Sequence, residues 1–216
     1  MDLKNKKIAV IISHPDDETI GCGGLLSKAS ALGAECKVIL PLKRANQRDK
    51  SSWEDELSHF ESACRHLGAT PIITSEVVPD SLATSNIQKI SSIIGEYINW
   101  ADIVLCHWRG DVHHAHQAIS SAVELCTRPF RNPKTVLCFE IITSTEQGFE
   151  NTFPPNCYIA LSETDMLKKK LAMEQYHSEI VPGRTPDDLE LLMRLRGSQS
   201  GSTYAEAYHI ARHFIK

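Results

Sequence analysis

Several features that define other protein classes are missing from this sequence of 216 residues. Its seven cysteines include no Cys-x-x-Cys pair, which excludes a zinc ribbon. The cysteines are odd in number and several lie in apolar runs, so we expect reduced thiols that act as small core residues in a reducing compartment. The segment Gly21-Cys22-Gly23-Gly24 is followed by Leu26 where a dinucleotide-binding fingerprint needs glycine. A nucleotide-binding turn is therefore not indicated.

A long hydrophobic run is also missing near the start of the sequence. The unbroken apolar stretch there, Ile8 to Ile12, is too short for a signal-peptide core or a membrane span. The formal net charge of −4 disfavours nucleic acid or an anionic membrane as the main partner. We therefore expect a cytoplasmic protein that neither binds nucleic acid nor inserts into a membrane, and the sequence leaves a homo-oligomer open.

The chain does contain alternating apolar runs and amphipathic segments, and its length fits one substantial domain spanning 1–216. Strands are predicted at 7–13, 36–42, 71–75, 102–107, 135–142 and 156–161, and helices at about 20–32, 53–67, 84–100 and 114–126. The strand runs are continuous rather than alternating, which is typical of a parallel sheet covered on both faces. This order predicts a Rossmann-like three-layer α/β/α sandwich with a mostly parallel sheet and a helical C-terminal part.

The last third of the sequence is predicted to be more helical. Thr185-Pro186-Asp187-Asp188 has the residue order of a helix start. A helix from Ser202 to Phe214 is predicted from residues at helical spacing: Tyr204, Ala207, Tyr208, Ala211 and Ile215. The segments 41–52 and 143–155 are predicted loops that either cover a site or are simply solvated. Within the first of them, a solvated Arg48 is favoured over one that contacts an anionic substrate.

Two polar clusters follow predicted strands. His14-Pro15-Asp16-Asp17-Glu18 comes directly after the first apolar run, and Asp111-Val112-His113-His114-Ala115-His116 follows the strand predicted at 102–107. In an open α/β sheet, ligands bind outside the carboxyl ends of the strands. A catalytic zinc needs about three protein ligands and an open fourth position. His14, Asp17 and one of the downstream histidines meet that requirement.

These motifs resemble a known family. His14 to Gly24 resembles the opening motif of the PIG-L/LmbE-like zinc-dependent sugar N-deacetylases, and the second cluster resembles their Asp-x-His-x-Asp-His motif. A third stretch of resemblance comprises Arg196-Gly197, Gly201 and Tyr204-Ala205-Glu206-Ala207. The resemblance implies His14, Asp17 and His116 as metal ligands, Asp16 as general base, and His113 as the group that faces the developing oxyanion. It also makes Asp80 a candidate for binding sugar hydroxyls, although a turn-forming aspartate after proline is an equal alternative.

The function that the resemblance implies is hydrolysis of an N-acetyl group on an amino sugar or its conjugate, of the N-acetylglucosamine type. Zn²⁺ is the implied cofactor, and Fe²⁺ or Co²⁺ can bind the same ligands. A bound zinc makes water a stronger nucleophile, and an unligated carboxylate beside it takes the proton. The alternatives are hydrolysis of another amide or ester, and a non-catalytic carbohydrate-binding or scaffold protein.

One departure from the family pattern concerns the second motif. The family has an acid just before the last histidine, where this chain has Ala115. Such an acid orients the neighbouring histidine. We therefore expect either that another carboxylate replaces it, with Asp111 as the obvious candidate, or that His113, which would be protonated beside the oxyanion, works differently here. Three further polar residues have simpler interpretations: Glu18 accepts backbone hydrogen bonds, His107 is outside the ligand set, and His114 is exposed.

Overall fold

The computed structural model describes residues 1–45, 52–149 and 153–214, so Arg48 lies outside the described residues. The strands are β1 (Lys7–Ile11), β2 (Glu35–Lys43), β3 (Thr70–Pro79), β4 (Ile103–His107), β5 (Thr135–Phe139), β6 (Cys157–Leu161) and β7 (Tyr204–Arg212). The α-helices are α1 (Asp17–Ala31), α2 (Trp53–Leu67), α3 (Ile87–Trp100), α4 (His114–Cys126), α5 (Glu163–Met173) and α6 (Pro186–Ser200). Short 3-10 helices cover Asp80–Asn86, Thr145–Gln147 and His177–Glu179. These elements confirm the predicted strand–helix alternation.

The seven strands form one sheet in the order β3-β2-β1-β4-β5-β7-β6. The strands from β3 across to β5 are parallel, whereas β7 runs antiparallel to both β5 and β6. Neighbouring residues of β1 face opposite cores: Ile8 packs with α1, α2 and α5, and Ala9 packs with α3 and α4. Burial of both faces explains why the strand runs are continuously apolar, and it confirms the three-layer sandwich.

The helix predicted from Ser202 to Phe214 is wrong, because residues 204–212 form β7. Gly201 ends α6 with a φ of +74°, and the chain then reverses into the sheet. Residues 204–208 are all buried, so both faces of this part of β7 are covered. Burial on both sides removes the period-2 alternation that would have identified a strand, and the remaining apolar spacing imitates a helix. The rest of the C-terminal part, α5 and α6, is helical as predicted, and Thr185 caps α6.

Helix α1 is kinked at Cys22, whose backbone is not helical (φ −149°, ψ 20°). Side chains from distant elements complete the interrupted hydrogen bonds: the Ile20 carbonyl accepts from Lys169 Nζ at 2.8 Å, and the Gly24 N–H donates to Glu206 Oε1 at 2.8 Å. Lys169 Nζ and Glu206 Oε1 are 2.6 Å apart in the core. A buried ion pair from α5 and β7 thus takes the place of a helical hydrogen bond.

We expect Glu206→Ala to lower the free energy of unfolding by about 3 kcal/mol, because it leaves the Lys169 ammonium buried and unpaired. Urea denaturation would measure the loss. Glu163→Ala, at an exposed position of α5, is the control and should change stability by less than about 0.5 kcal/mol. Equal stability of the two variants would contradict a structural role for the ion pair.

The glycines after the first motif allow close packing against the sheet. A Cβ on Gly21 would lie 2.3 Å from the Phe139 ring, and one on Gly24 would lie 2.4 Å from Leu161 Cδ1. These distances confirm the interpretation that the glycines let the turn and the helix start approach the sheet closely, rather than bind a nucleotide.

Candidate active site

The two predicted clusters meet because β1 and β4 are hydrogen-bonded neighbours in the sheet. Both strands end at the same edge, where the β1–α1 turn faces the start of α4. The turn has an unusual backbone: Asp16 has φ +112° and ψ −31°, in a region that non-glycine residues rarely occupy. Such strain is typical of functional sites. In this turn it separates the directions of the adjacent carboxylates of Asp16 and Asp17.

His14, Asp17 and His116 form a compact buried group. One ligand atom from each residue lies within 4.8 Å of the others. His14 Nδ1 is 3.8 Å from Asp17 Oδ2, and His116 Nε2 is 3.5 Å from Asp17 Oδ1. The structure therefore brings together the three residues that the sequence predicted as metal ligands.

The outer nitrogens of both histidines face carboxylates. His14 Nε2 is hydrogen-bonded to Asp80 Oδ2 at 3.1 Å, and His116 Nδ1 lies 3.1 Å from Asp111 Oδ2. Metal-binding histidines commonly have a carboxylate on the nitrogen that does not bind the metal, because it fixes the ring and raises its basicity. This arrangement leaves His14 Nδ1 and His116 Nε2 directed at Asp17. The donor set thus fits a divalent metal with two nitrogen ligands and one carboxylate.

The Asp17 carboxylate is held by hydrogen bonds from its own turn. Oδ2 accepts from the N–H groups of Ser13 at 3.1 Å and His14 at 2.8 Å. His107 Nε2 is 3.2 Å from the same oxygen. Although burial opposes ionisation, His107 and His116 hold the pKa of Asp17 well below its ordinary value. Asp17 is therefore an anion in a fixed orientation, as a metal ligand needs to be.

Asp16 is buried beside this group without belonging to it. Burial and the neighbouring charge of Asp17 raise the pKa of Asp16 well above its ordinary value, and Arg184 opposes the rise. Arg184 Nη1 lies 3.4 Å from Asp16 Oδ2. A carboxylate with a raised pKa next to a candidate metal site has the properties of a general base.

His113 lies against both candidate histidine ligands. Its ring centroid is 5.0 Å from that of His14 and 4.6 Å from that of His116. The Ala115 N–H donates to His113 Nδ1 at 3.3 Å, so that nitrogen carries no proton and Nε2 is the donor. Burial, then His116 and His14, lower the pKa of His113 to about 4. The lowered pKa favours the neutral ring, which donates through Nε2.

Ala115 stands where the family has an acid. Among the described side chains, no carboxylate is hydrogen-bonded to the His113 ring in place of that acid. Ala115 is buried in the apolar core, and Asp111 contacts the backbone N–H of His113 instead of its ring. Asp111 also accepts hydrogen bonds from Ser144 and Thr145, each at 2.6 Å. The Asp111 carboxylate thus orients His116, the candidate ligand, and its replacement of the missing acid stays a prediction.

Four other polar residues singled out in the sequence lie in or near the site, and their contacts agree with the predicted roles to different degrees. Glu18 accepts from the Asp16 N–H at 3.3 Å, as expected, and also from Tyr176 at 2.7 Å. His114 is exposed and His107 is buried against Asp17, outside the ligand triad. Asp80 contacts His14 and also accepts from the N–H groups of Ala45 and Ser81. Its contact with a sugar stays a prediction.

Sequence reasoning missed the side chains that come from residues 143–206. Arg184 contacts Asp16, Tyr176 contacts Glu18, and Lys169 with Glu206 supports the kink of α1. Each of these contacts joins elements that lie far apart in the chain, so no local spacing could reveal them. The resemblance at Tyr204-Ala205-Glu206-Ala207 was the available signal for Glu206.

The comparison with protein families decides the classification. The profile of the PIG-L family, described as GlcNAc-PI de-N-acetylase, matches residues 9–127, which is more than half of the chain. This chain belongs to the PIG-L family. The matched segment contains the β1–α1 turn and the start of α4, and hence all three members of the candidate metal triad. The PIG-L family is a deacetylase family that acts on N-acetyl sugars. A search of curated proteins finds no significant match.

Solved structures confirm the PIG-L fold over almost the whole chain. The conserved protein TT1542 from Thermus thermophilus has a TM-score of 0.76 at 20% identity, covering 98% of this chain and 97% of its own. The N,N'-diacetylchitobiose deacetylase from Pyrococcus horikoshii has a TM-score of 0.70 at 18% identity, with coverages of 97% and 87%. The 4-carboxy-2-hydroxymuconate hydratase from Pseudomonas putida KT2440 has a TM-score of 0.68 at 12% identity, with coverages of 98% and 98%. Because a hydratase shares the fold, the reaction has to be argued from the site.

In the described parts of the chain, no helix is both long enough and apolar enough to cross a membrane. The seven cysteines all lie in these parts and all are free thiols, five of them buried. The thiols thus act as core residues, as the sequence predicted.

Proposed function

We propose that this PIG-L family member is a metal-dependent hydrolase that removes the N-acetyl group from an N-acetylglucosamine-type sugar or its conjugate. The observation that carries the proposal is a compact His14, Asp17 and His116 triad beside a separate buried carboxylate, Asp16. A ligand triad alone is compatible with many reactions, whereas an unligated carboxylate next to it supplies the base that amide hydrolysis needs. We propose Zn²⁺ as the metal, while Fe²⁺ and Co²⁺ suit the same donors.

A Zn²⁺ ion held by the triad would supply Lewis-acid chemistry, lowering the pKa of a coordinated water from 15.7 to about 7. Asp16 takes one proton from the attacking water and passes it to the leaving amine nitrogen, so that water and the acetamide become a free amine and acetic acid, which ionises to acetate and a solvent proton. His113 donates its Nε2–H to the oxyanion that forms on the acyl carbon. Removing one such donor costs about 10²- to 10³-fold in rate.

We also propose that Asp80 contacts the sugar, in addition to orienting His14. An ionised carboxylate has about four acceptor positions. Three of them are used by His14 Nε2, Ala45 N–H and Ser81 N–H. Among the contacts made by residues 1–45, 52–149 and 153–214, one position is left to accept a hydrogen bond from a sugar hydroxyl, so Asp80 can both orient His14 and contact the substrate.

Acetate release from a panel of N-acetylglucosamine conjugates tests the proposed function. The panel begins with N,N'-diacetylchitobiose and includes an N-acyl amine without a sugar and a sugar O-acetyl ester. We expect acetate and free amine in equal amounts from an N-acetyl sugar, loss of release after treatment with a chelator, and recovery on addition of one equivalent of Zn²⁺.

Three outcomes would contradict the proposal. Metal-replete protein that releases no acetate from any member of the panel would favour the non-catalytic alternative. Release from the ester or from the sugar-free amine alone would assign a different hydrolase activity. Release that survives complete removal of metal, checked by elemental analysis, would exclude the metal-dependent route.

A further inference from the structure

The loop between α5 and α6, residues 174–185, reaches over the β1–α1 turn. Tyr176 donates to Glu18 Oε1 at 2.7 Å, and Arg184 Nη1 lies 3.4 Å from Asp16 Oδ2. Glu179 Oε1 lies 3.4 Å from Arg44 Nη2, at the end of β2. One loop therefore touches two neighbouring parts of the catalytic turn, and Arg184 is its contribution to the proposed base.

Arg184 is fixed from behind by a second loop. Its Nε donates to the hydroxyl of Thr143, which follows β5. Thr143 has a φ of +71°, which non-glycine residues rarely adopt. Gly183 has a φ of +90°, and a Cβ at that position would lie 2.8 Å from Thr143 Cγ2. The two loops are thus packed so closely that the guanidinium has little freedom to move.

The Asp16 carboxylate needs such a partner. It lies in a turn with a φ of +112°, next to the anionic Asp17, and its side chain is 3% exposed. Repulsion from Asp17 disfavours an unpaired Asp16 carboxylate, and the Arg184 guanidinium, with Nη1 3.4 Å from Asp16 Oδ2, offsets that repulsion. The Arg184 side chain is 16% exposed, so its charge acts across a partly desolvated gap. The cation and the strained turn therefore determine the direction of this carboxylate together.

We propose that Arg184 is a positioning residue that holds the Asp16 carboxylate in the orientation required for proton transfer. The inference rests on the proposed function, in which Asp16 is the base. The planar guanidinium bonds Thr143 through Nε and faces Asp16 through Nη1, on two separate nitrogens. A lysine has a single nitrogen and does not reproduce both contacts.

Steady-state kinetics on the acetylated sugar identified by the panel test this role. We expect Arg184→Ala to lower kcat about 10²-fold with KM and metal content unchanged, because small misplacements of a catalytic group cost that much. Arg184→Lys should recover only part of the loss. Millimolar guanidinium should raise the activity of Arg184→Ala, and equal concentrations of NaCl should not. Arg194→Ala, on exposed α6 surface, should behave as wild type.

A crystal structure of Arg184→Ala provides a readout that does not depend on turnover. We expect the Asp16 carboxylate to be displaced relative to wild type while the triad is unchanged. An Asp16 carboxylate in the wild-type position would overturn the inference, whether or not the wild-type protein releases acetate. A raised KM with kcat unchanged would also overturn it and assign Arg184 to substrate binding. Absence of acetate from the wild-type protein would instead count against the proposed function.

Discussion

Replacing Asp16 with asparagine should lower kcat for acetate release by about 10³-fold while the metal stays bound. General acid–base catalysis typically contributes about 10²- to 10⁴-fold, and an amide cannot accept the proton of the attacking water. Asparagine suits the test because, like aspartate, it tolerates a positive φ better than most residues. The strained turn at φ +112° is therefore retained, and only the proton-accepting oxygen is lost.

Measuring kcat and bound metal on the same preparation distinguishes a general base from a metal ligand. Loss of the base lowers kcat alone, whereas loss of a ligand lowers both kcat and metal content. Asp187→Asn is the control, because the Asp187 side chain is 85% exposed and contacts Lys170 on the protein surface. An Asp16→Asn variant that turns over within about threefold of wild type would remove Asp16 from the mechanism. Loss of metal together with activity would make Asp16 a ligand instead.

The second large effect is expected at His116. His116→Ala should lose bound metal on dialysis, and activity should fall at least about 10³-fold, because the pKa of the attacking water returns towards about 15.7. The Nε2 of this residue lies 3.5 Å from Asp17 Oδ1 in the candidate triad. Removing one of three protein ligands leaves a pair that is too weak to retain a catalytic metal.

The neighbouring sequence supplies a matched control for this prediction. His114→Ala removes an exposed imidazole two positions away and should keep both metal and activity. Asp111→Asn is an intermediate case. It keeps His116 as a ligand but replaces the carboxylate that orients the His116 ring, so metal affinity should fall about 10- to 100-fold. Retention of a full equivalent of metal by His116→Ala would exclude this residue as a ligand. Isothermal titration with Zn²⁺ measures all three variants.

Local order in the sequence predicted His14, Asp17 and one of the downstream histidines as the candidate metal ligands, and the family resemblance identified that histidine as His116. His14, Asp17 and His116 follow the ends of two parallel strands, and adjacent parallel strands bring their carboxyl ends together. The strands and helices predicted before residue 162 all occur in the structure, with ends that differ by a few residues, because continuous apolar runs and amphipathic segments are local signals. Asp111 also lies at this edge, where its carboxylate faces His116 Nδ1 and the backbone N–H of His113.

The remaining parts depend on pairings between distant segments. Arg184 meets Asp16 across 168 positions, and Glu206 meets Gly24 across 182. Neither contact follows from a local pattern of polar and apolar residues. β7 was predicted as a helix because Tyr204, Ala207 and Tyr208 have helical spacing, and burial of both faces of the strand hides its alternation.

The position of β7 inside the sheet has a consequence for how the protein matures. Synthesis produces the catalytic turn first and residues 204–212 among the last of those described, yet Glu206 on β7 completes the broken helix behind that turn. Contacts between such distant segments form slowly, because a large loop has to close before they can stabilise anything. The nascent chain therefore carries all its candidate metal ligands long before the helix behind them is complete. The support behind the candidate site is complete only when the inserted strand docks.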